Sequence, residues 1–111
     1  MAGTLKRLGG PASLTATAAN LYNPATNLYG EIRHIHLNNA TGSSKTVDVF
    51  IGATTGSAAA TALFNDLSIA ANTPYDYYCL TRMATTDFLT GLASVASDSV
   101  QYVVEGYEYA A

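Results

Sequence analysis

The chain is 111 residues long, carries 5 basic against 8 acidic residues for a formal net charge of −3, and is only 12% charged. That length suits one domain with a core of its own. The scarce lysines and arginines, of which only Lys6 and Arg7 are adjacent, exclude the clustered positive charge of a nucleic-acid binder or of a basic membrane-surface helix.

Residues 1–13 read as an extended N-terminal arm ahead of a single domain spanning 14–111. Gly3, Gly9, Gly10 and Pro11 break any regular core element there, while Leu5 and Leu8 can anchor the arm on a neighbour. Deleting Met1–Pro11 is then expected to leave the fold intact and to weaken docking. The same stretch imitates a secretory leader, with Lys6-Arg7 as its basic region and Ala16-Thr17-Ala18 as its cleavage site. Gly9-Gly10-Pro11 interrupts the roughly 7–15 apolar residues such a leader needs. No run approaches the ~18 apolar residues of a membrane span.

Leu14–Tyr22 alternates weakly and predicts a first strand, closed by a turn over Asn23–Asn27 in which Pro24 presets φ and Asn tolerates left-handed backbone. Leu28–Asn39 predicts a long strand whose phase is awkward. Ile32 falls on one face, and Ile35 and Leu37 on the other, so a β-bulge near Arg33-His34 is needed to bring all three together. The turn formers Asn38–Ser44 follow, then Lys45–Gly52, where Val47, Val49 and Ile51 alternate with Thr46, Asp48 and Phe50. Such alternation marks a half-buried strand. The two strands are expected to fold back on each other as an antiparallel hairpin.

A small-residue loop over Gly52–Thr61 leads to Leu63–Ala71, which holds a fourth strand over Asp66–Ala70. Ala and Leu in Gly56–Phe64 also favour a helical turn, but no segment sustains a helical period. Tyr75–Arg82 alternates Tyr75, Tyr77 and Cys79 against Asp76, Tyr78 and Leu80. Cys79 is the sole cysteine, so no intrachain disulfide can form and the core or neighbouring subunits must hold the fold. Asp87–Ala96 predicts a sixth strand anchored by Phe88 and Leu92, and Ser97-Asp98-Ser99 turns the chain. Val100–Tyr109 closes it, with Gly106 as a bulge or a close approach. Turn chemistry at this spacing predicts an all-β antiparallel β-sandwich of about 7–8 strands, jelly-roll-like or Ig-like.

Candidate chemistry is sparse. His34 and His36 share a face unless a bulge intervenes. A third ligand such as Asp48 on the neighbouring strand would be required for zinc, and no spacing fixes one, so neither a metal nor a cofactor is expected. Gly42–Thr46 lacks the glycine before lysine that a phosphate loop demands. Asn39-Ala40-Thr41 matches the N-glycosylation triplet but is more simply a turn. The carboxylates are scattered, and Glu105 and Glu108 face opposite ways on a regular strand. No serine sits in a G-x-S-x-G context, so an enzyme is not expected. The tyrosines suit cross-strand packing, a subunit interface or stacking against sugars. The interface candidates are Leu5, Lys6, Arg7 and Leu8 on the arm, with Tyr75, Tyr77, Tyr107 and Tyr109 on the later strands.

Ile32-Arg33-His34-Ile35-His36-Leu37-Asn38-Asn39, a Ser/Thr/Gly turn, Val47–Gly52, and a closing Val103–Tyr109 together resemble small virion proteins of tailed phages. The resemblance runs from about Leu21 to Tyr109. It implies a capsid decoration (cement) protein that binds the outside of the shell and stabilises it. Tail or neck components and a glycan-binding module are the alternatives it leaves. The implied partners are the major capsid protein and copies of the chain itself, as a homotrimer, with neither nucleic acid nor membrane. The implied location is the virion, assembled in the host cytoplasm.

Overall fold

The computed structural model describes residues 4–17, 19–52, 62–94 and 100–110. Alternating apolar residues separated by turn formers produce eight strands: β1 (Thr4–Ser13), β2 (Ala19–Tyr22), β3 (Leu28–Asn39), β4 (Lys45–Gly52), β5 (Ala62–Ile69), β6 (Thr73–Met83), β7 (Phe88–Ala93) and β8 (Val100–Ala110). They form two four-stranded antiparallel sheets, in the orders β1-β8-β3-β6 and β2-β7-β4-β5. The pairing has a simple rule. First pairs with last, second with second-last, and so inward to β4 with β5, as in one long double ribbon. Rolling that ribbon up sets β8 beside β3 and β7 beside β4. This is the jelly roll, one of the two sandwich types the sequence left open.

β3 lies at the centre of its sheet, bonded to β6 and β8. The register slips between Ile32 and His34 against both neighbours. The bulge turns Arg33 and His34 both outward, and Ile32, Ile35 and Leu37 all reach the core with no exposure at all. Facing them across the sandwich are Val47, Val49 and Leu89, with Leu14, Ile69, Met83, Val100 and Val104 completing the core. Each such side chain contributes about 1.5–3 kcal/mol by leaving water. Gly106 is a close approach, since a Cβ there would be driven into the Glu31 carbonyl oxygen. The turn asparagines Asn27 and Asn72 sit at φ 67 and 52, in the left-handed region that asparagine tolerates.

Several local expectations are corrected. β3 and β4 form no hairpin, because they lie in opposite sheets. Each carries an apolar face, and stacking face to face buries both at once. Ala40–Ser44 is therefore a crossover. Of the expected arm, Thr4–Ser13 does not reach away from the domain: it is the edge strand β1 along β8. Its breakers are absorbed by register shifts between Arg7 and Gly9 and between Gly9 and Ala12. An edge strand tolerates proline and bulges that a central one would not. The predicted first strand shortens to Ala19–Tyr22. Leu14 is a buried crossover residue, its N–H donating to the Val100 carbonyl (2.8 Å) while Thr15 accepts from Ala93 N–H in the other sheet (2.9 Å). In β7 the anchors are Leu89 and Ala93 and not Phe88 and Leu92, which are half-buried. In β4, by contrast, the expected alternation holds: Ile51 packs against the core with Val47 and Val49, and Phe50 is buried outside that cluster, opposite Thr90 of β7. The loop expected over residues 53–61, most of the helical turn and the turn at 97–99 lie outside the described residues.

Candidate functional site: the outer face of the β1-β8-β3-β6 sheet

Alternation alone sorts this sheet into an inner and an outer face. On β6, Asp76, Tyr78, Leu80 and Arg82 point out while Tyr75, Tyr77, Cys79 and Met83 point in. On β8, Glu105, Tyr107 and Tyr109 point out, and the bulge on β3 adds Arg33, His34 and His36. Leu5, Tyr29, Tyr78 and Leu80 are the exposed large apolar residues among those described, at 66%, 43%, 74% and 72% exposure, and every one belongs to this face. All three arginines of the sequence and both histidines lie here as well.

His34 is held at both ring nitrogens. Its Nδ1 lies 2.9 Å from Glu105 Oε1 and its Nε2 lies 2.8 Å from Asp76 Oδ1. The same Asp76 oxygen takes His36 Nδ1 at 2.6 Å. The His34 ring stacks on Tyr78 with centroids 4.6 Å apart and planes 10° from parallel. Partial burial alone would lower the His34 pKa, but bonds to Glu105 and Asp76 and their charges raise it above the ordinary value. Asp76 is lowered in turn, first by the His36 bond and then by that of His34. Alongside, Arg33 lies 5.5 Å from the Tyr107 ring centroid and 3.2 Å from Glu31 Oε2. The Tyr109 hydroxyl donates to Glu31 Oε1 (2.8 Å), which raises its pKa.

The structure divides the interface candidates. Leu5, Lys6, Arg7 and Tyr107 line one shallow depression together with Arg33, His34, Tyr78 and Glu105. Tyr109 lines a second with Tyr29 and Arg82. Leu8, Tyr75 and Tyr77 are instead partly buried against the core, so their rings are engaged in packing. Sequence reasoning passed over Tyr78, Leu80 and Arg33. Tyr75 and Tyr78 fall on opposite faces of an apolar strand, and nothing local says which face is wet. The third group beside the histidines is Asp76 and not Asp48. Asp48 belongs to the other sheet, where its Oδ1 accepts from Asp66 N–H. Asn39 cannot carry a glycan: it is fully buried, and its amide nitrogen donates to the carbonyls of Ser43, Ile69 and Ala70. Glu105 and Glu108 do face opposite ways, toward His34 and Tyr22 respectively.

No protein-family model matches the chain. No curated protein matches it. Among solved structures it is similar to a subunit from "Bacillus endospore appendages form a novel family of disulfide-linked pili", at 18% identity, covering 99% of this chain and 91% of that one, with a TM-score of 0.53. At that identity the likeness shows the fold. Chains of infectious bursal disease virus, Gx and Gt strains, align at 11% identity with TM-scores of 0.38 and 0.36, this chain covering 28% and 29% of theirs. Likeness that slight carries no argument.

Proposed function

We propose that this jelly roll is a structural building block, working by adhesion of the outer β1-β8-β3-β6 face to copies of itself and to a larger shell. One observation carries the reading: every exposed large apolar side chain among the described residues lies on that face. Apolar surface gathered in one place marks an interaction site, and tyrosine and arginine are the residues interfaces favour. In its particular form the proposal follows the phage resemblance. The protein is a non-catalytic capsid decoration protein of the virion, trimeric, with the major capsid protein as its partner.

A second reading is favoured by the full-length likeness to the appendage subunit: a filament of identical subunits. Cys79 sets its terms. With 1 cysteine per chain, a disulfide can join two subunits but cannot run on through a third, so such a filament would be held without covalent links along its length. Native mass spectrometry with negative-stain microscopy of the purified protein separates the readings. Trimers support decoration, a ring of six or more supports a tail or neck component, and open-ended fibres support the filament. A monomer at every concentration, with no binding to capsids that lack the protein, overturns the adhesive role.

A further inference from the structure

We infer that His34, His36 and Asp76 form a binding site for a divalent transition-metal ion of the zinc type, with Glu105 orienting His34. The inference is independent of what the outer face adheres to. It starts from topology. β3 supplies two imidazoles on one face, and β6 lies beside β3 with Asp76 directly across from His36. One ligand atom from each of the three side chains falls within 4.8 Å of the other two. Two imidazole nitrogens and one carboxylate oxygen are a common three-residue set for zinc, leaving one position of a tetrahedron open.

Glu105 separates this cluster from a chance meeting of surface charges. Metal-binding histidines usually donate their second ring N–H to a carboxylate or carbonyl, which fixes the tautomer and the plane of the ring. His34 has that arrangement. Its Nδ1 faces Glu105 on β8 while Nε2 faces Asp76 on β6. Stacking on Tyr78 clamps the ring from its face. His34 is therefore positioned by three groups from two flanking strands.

The spacing, within 4.8 Å for every pair of ligand atoms, closes on an ion by small side-chain adjustments at Asp76 and the half-exposed His36. Ligand atoms around a tetrahedral zinc stand about 3.3 Å apart, given bonds of about 2.0–2.1 Å. Asp76 Oδ1 now lies 2.8 Å from His34 Nε2 and 2.6 Å from His36 Nδ1, so its carboxylate must retreat by roughly half an ångström to admit the ion. The Asp76 side chain is 39% exposed, and nothing buried has to move with it. The nitrogen ligands favour zinc, copper or nickel over magnesium and calcium, which take oxygen.

The test is calorimetric titration of the untagged, metal-free protein with zinc chloride near neutral pH. Saturable uptake of one ion per chain is expected, with none for magnesium chloride. His34→Ala and His36→Ala should each abolish it, and Asp76→Asn should weaken it at least about tenfold. Glu105→Gln should keep the one-to-one ratio and weaken binding about 10–100-fold. These side chains are on the outer face, so the variants should melt within a few degrees of the parent, which circular dichroism checks. Lack of saturable zinc uptake by the parent, or uptake undiminished in the double histidine variant, would overturn the site. An unchanged affinity in Glu105→Gln would overturn the orienting role.

Discussion

At the scale of single residues, one buried amide does much of the work at one end of the sandwich. Asn39 ends β3 with no exposure to solvent. Its Nδ2 donates to the Ser43, Ile69 and Ala70 carbonyls at 2.9, 3.0 and 3.1 Å, and its Oδ1 accepts from the Thr41 N–H and hydroxyl. It thereby joins the β3–β4 crossover to the end of β5. Replacing it takes this donor from the buried Ile69 carbonyl, at a cost of about 1–3 kcal/mol. Asn39→Ala should lower the unfolding free energy by an amount in that range or above, read as a lower urea midpoint with the slope of the transition unchanged. Asn39→Asp supplies no replacement amide donor and should be no better.

Among elements, the first and last strands depend on each other. β1 covers the edge of β8, and Glu108 on β8 fastens three strands. It forms an ion pair with Lys6 of β1 (2.9 Å) and accepts from the Tyr22 hydroxyl of β2 (2.7 Å). Removing residues 1–13 would therefore uncover the β8 backbone and the part of the core that Leu8 covers. The shortened chain should melt at lower temperature and aggregate, contrary to the behaviour of a dispensable arm. Light scattering during a thermal ramp reads both effects. Burial pushes the Glu108 pKa up, but the Lys6 and Tyr22 hydrogen bonds and the Lys6 charge together hold it below its ordinary 4.5. A group depressed on folding stabilises fully above its unfolded pKa and loses that contribution as pH falls through the folded value. Glu108→Gln should therefore be less stable than the parent at pH 7, and the gap in melting temperature should close as pH falls below about 4.5. A gap that stayed constant to pH 3 would contradict the linkage.

For the whole molecule, the two sheets have different outer faces. The described part of the β2-β7-β4-β5 sheet carries none of the exposed large apolar side chains, whereas the other sheet carries Leu5, Tyr29, Tyr78 and Leu80. Introducing charge on that face separates association from folding. Tyr78 and Leu80 are 74% and 72% exposed, so Tyr78→Glu with Leu80→Glu should change the melting temperature by only a few degrees. The same pair should abolish self-association, read as a shift to monomer by light scattering after size exclusion. Loss of the fold, or an unchanged oligomer, would remove the outer face from the adhesive surface.

Alternation and turn chemistry along the chain are enough to place most of the strands and to show how one of them bends. β3 and β4 keep the bounds that alternation and turn residues predict, and the misphased Ile32, Ile35 and Leu37 reveal their bulge. These are local properties, set by which neighbours along the chain are apolar and which tolerate a turn. It takes the packed sandwich to set β3 beside β6 and β8 and not β4, to make an edge strand of the expected arm, and to put Tyr78 outside and Tyr77 inside. Backbone N–H and C=O groups are alike in every strand, so pairing is chosen by how all the apolar faces can be covered at once. That choice, made by the rolled ribbon, is also what carries Asp76 and Glu105 from distant points in the chain to the two sides of His34.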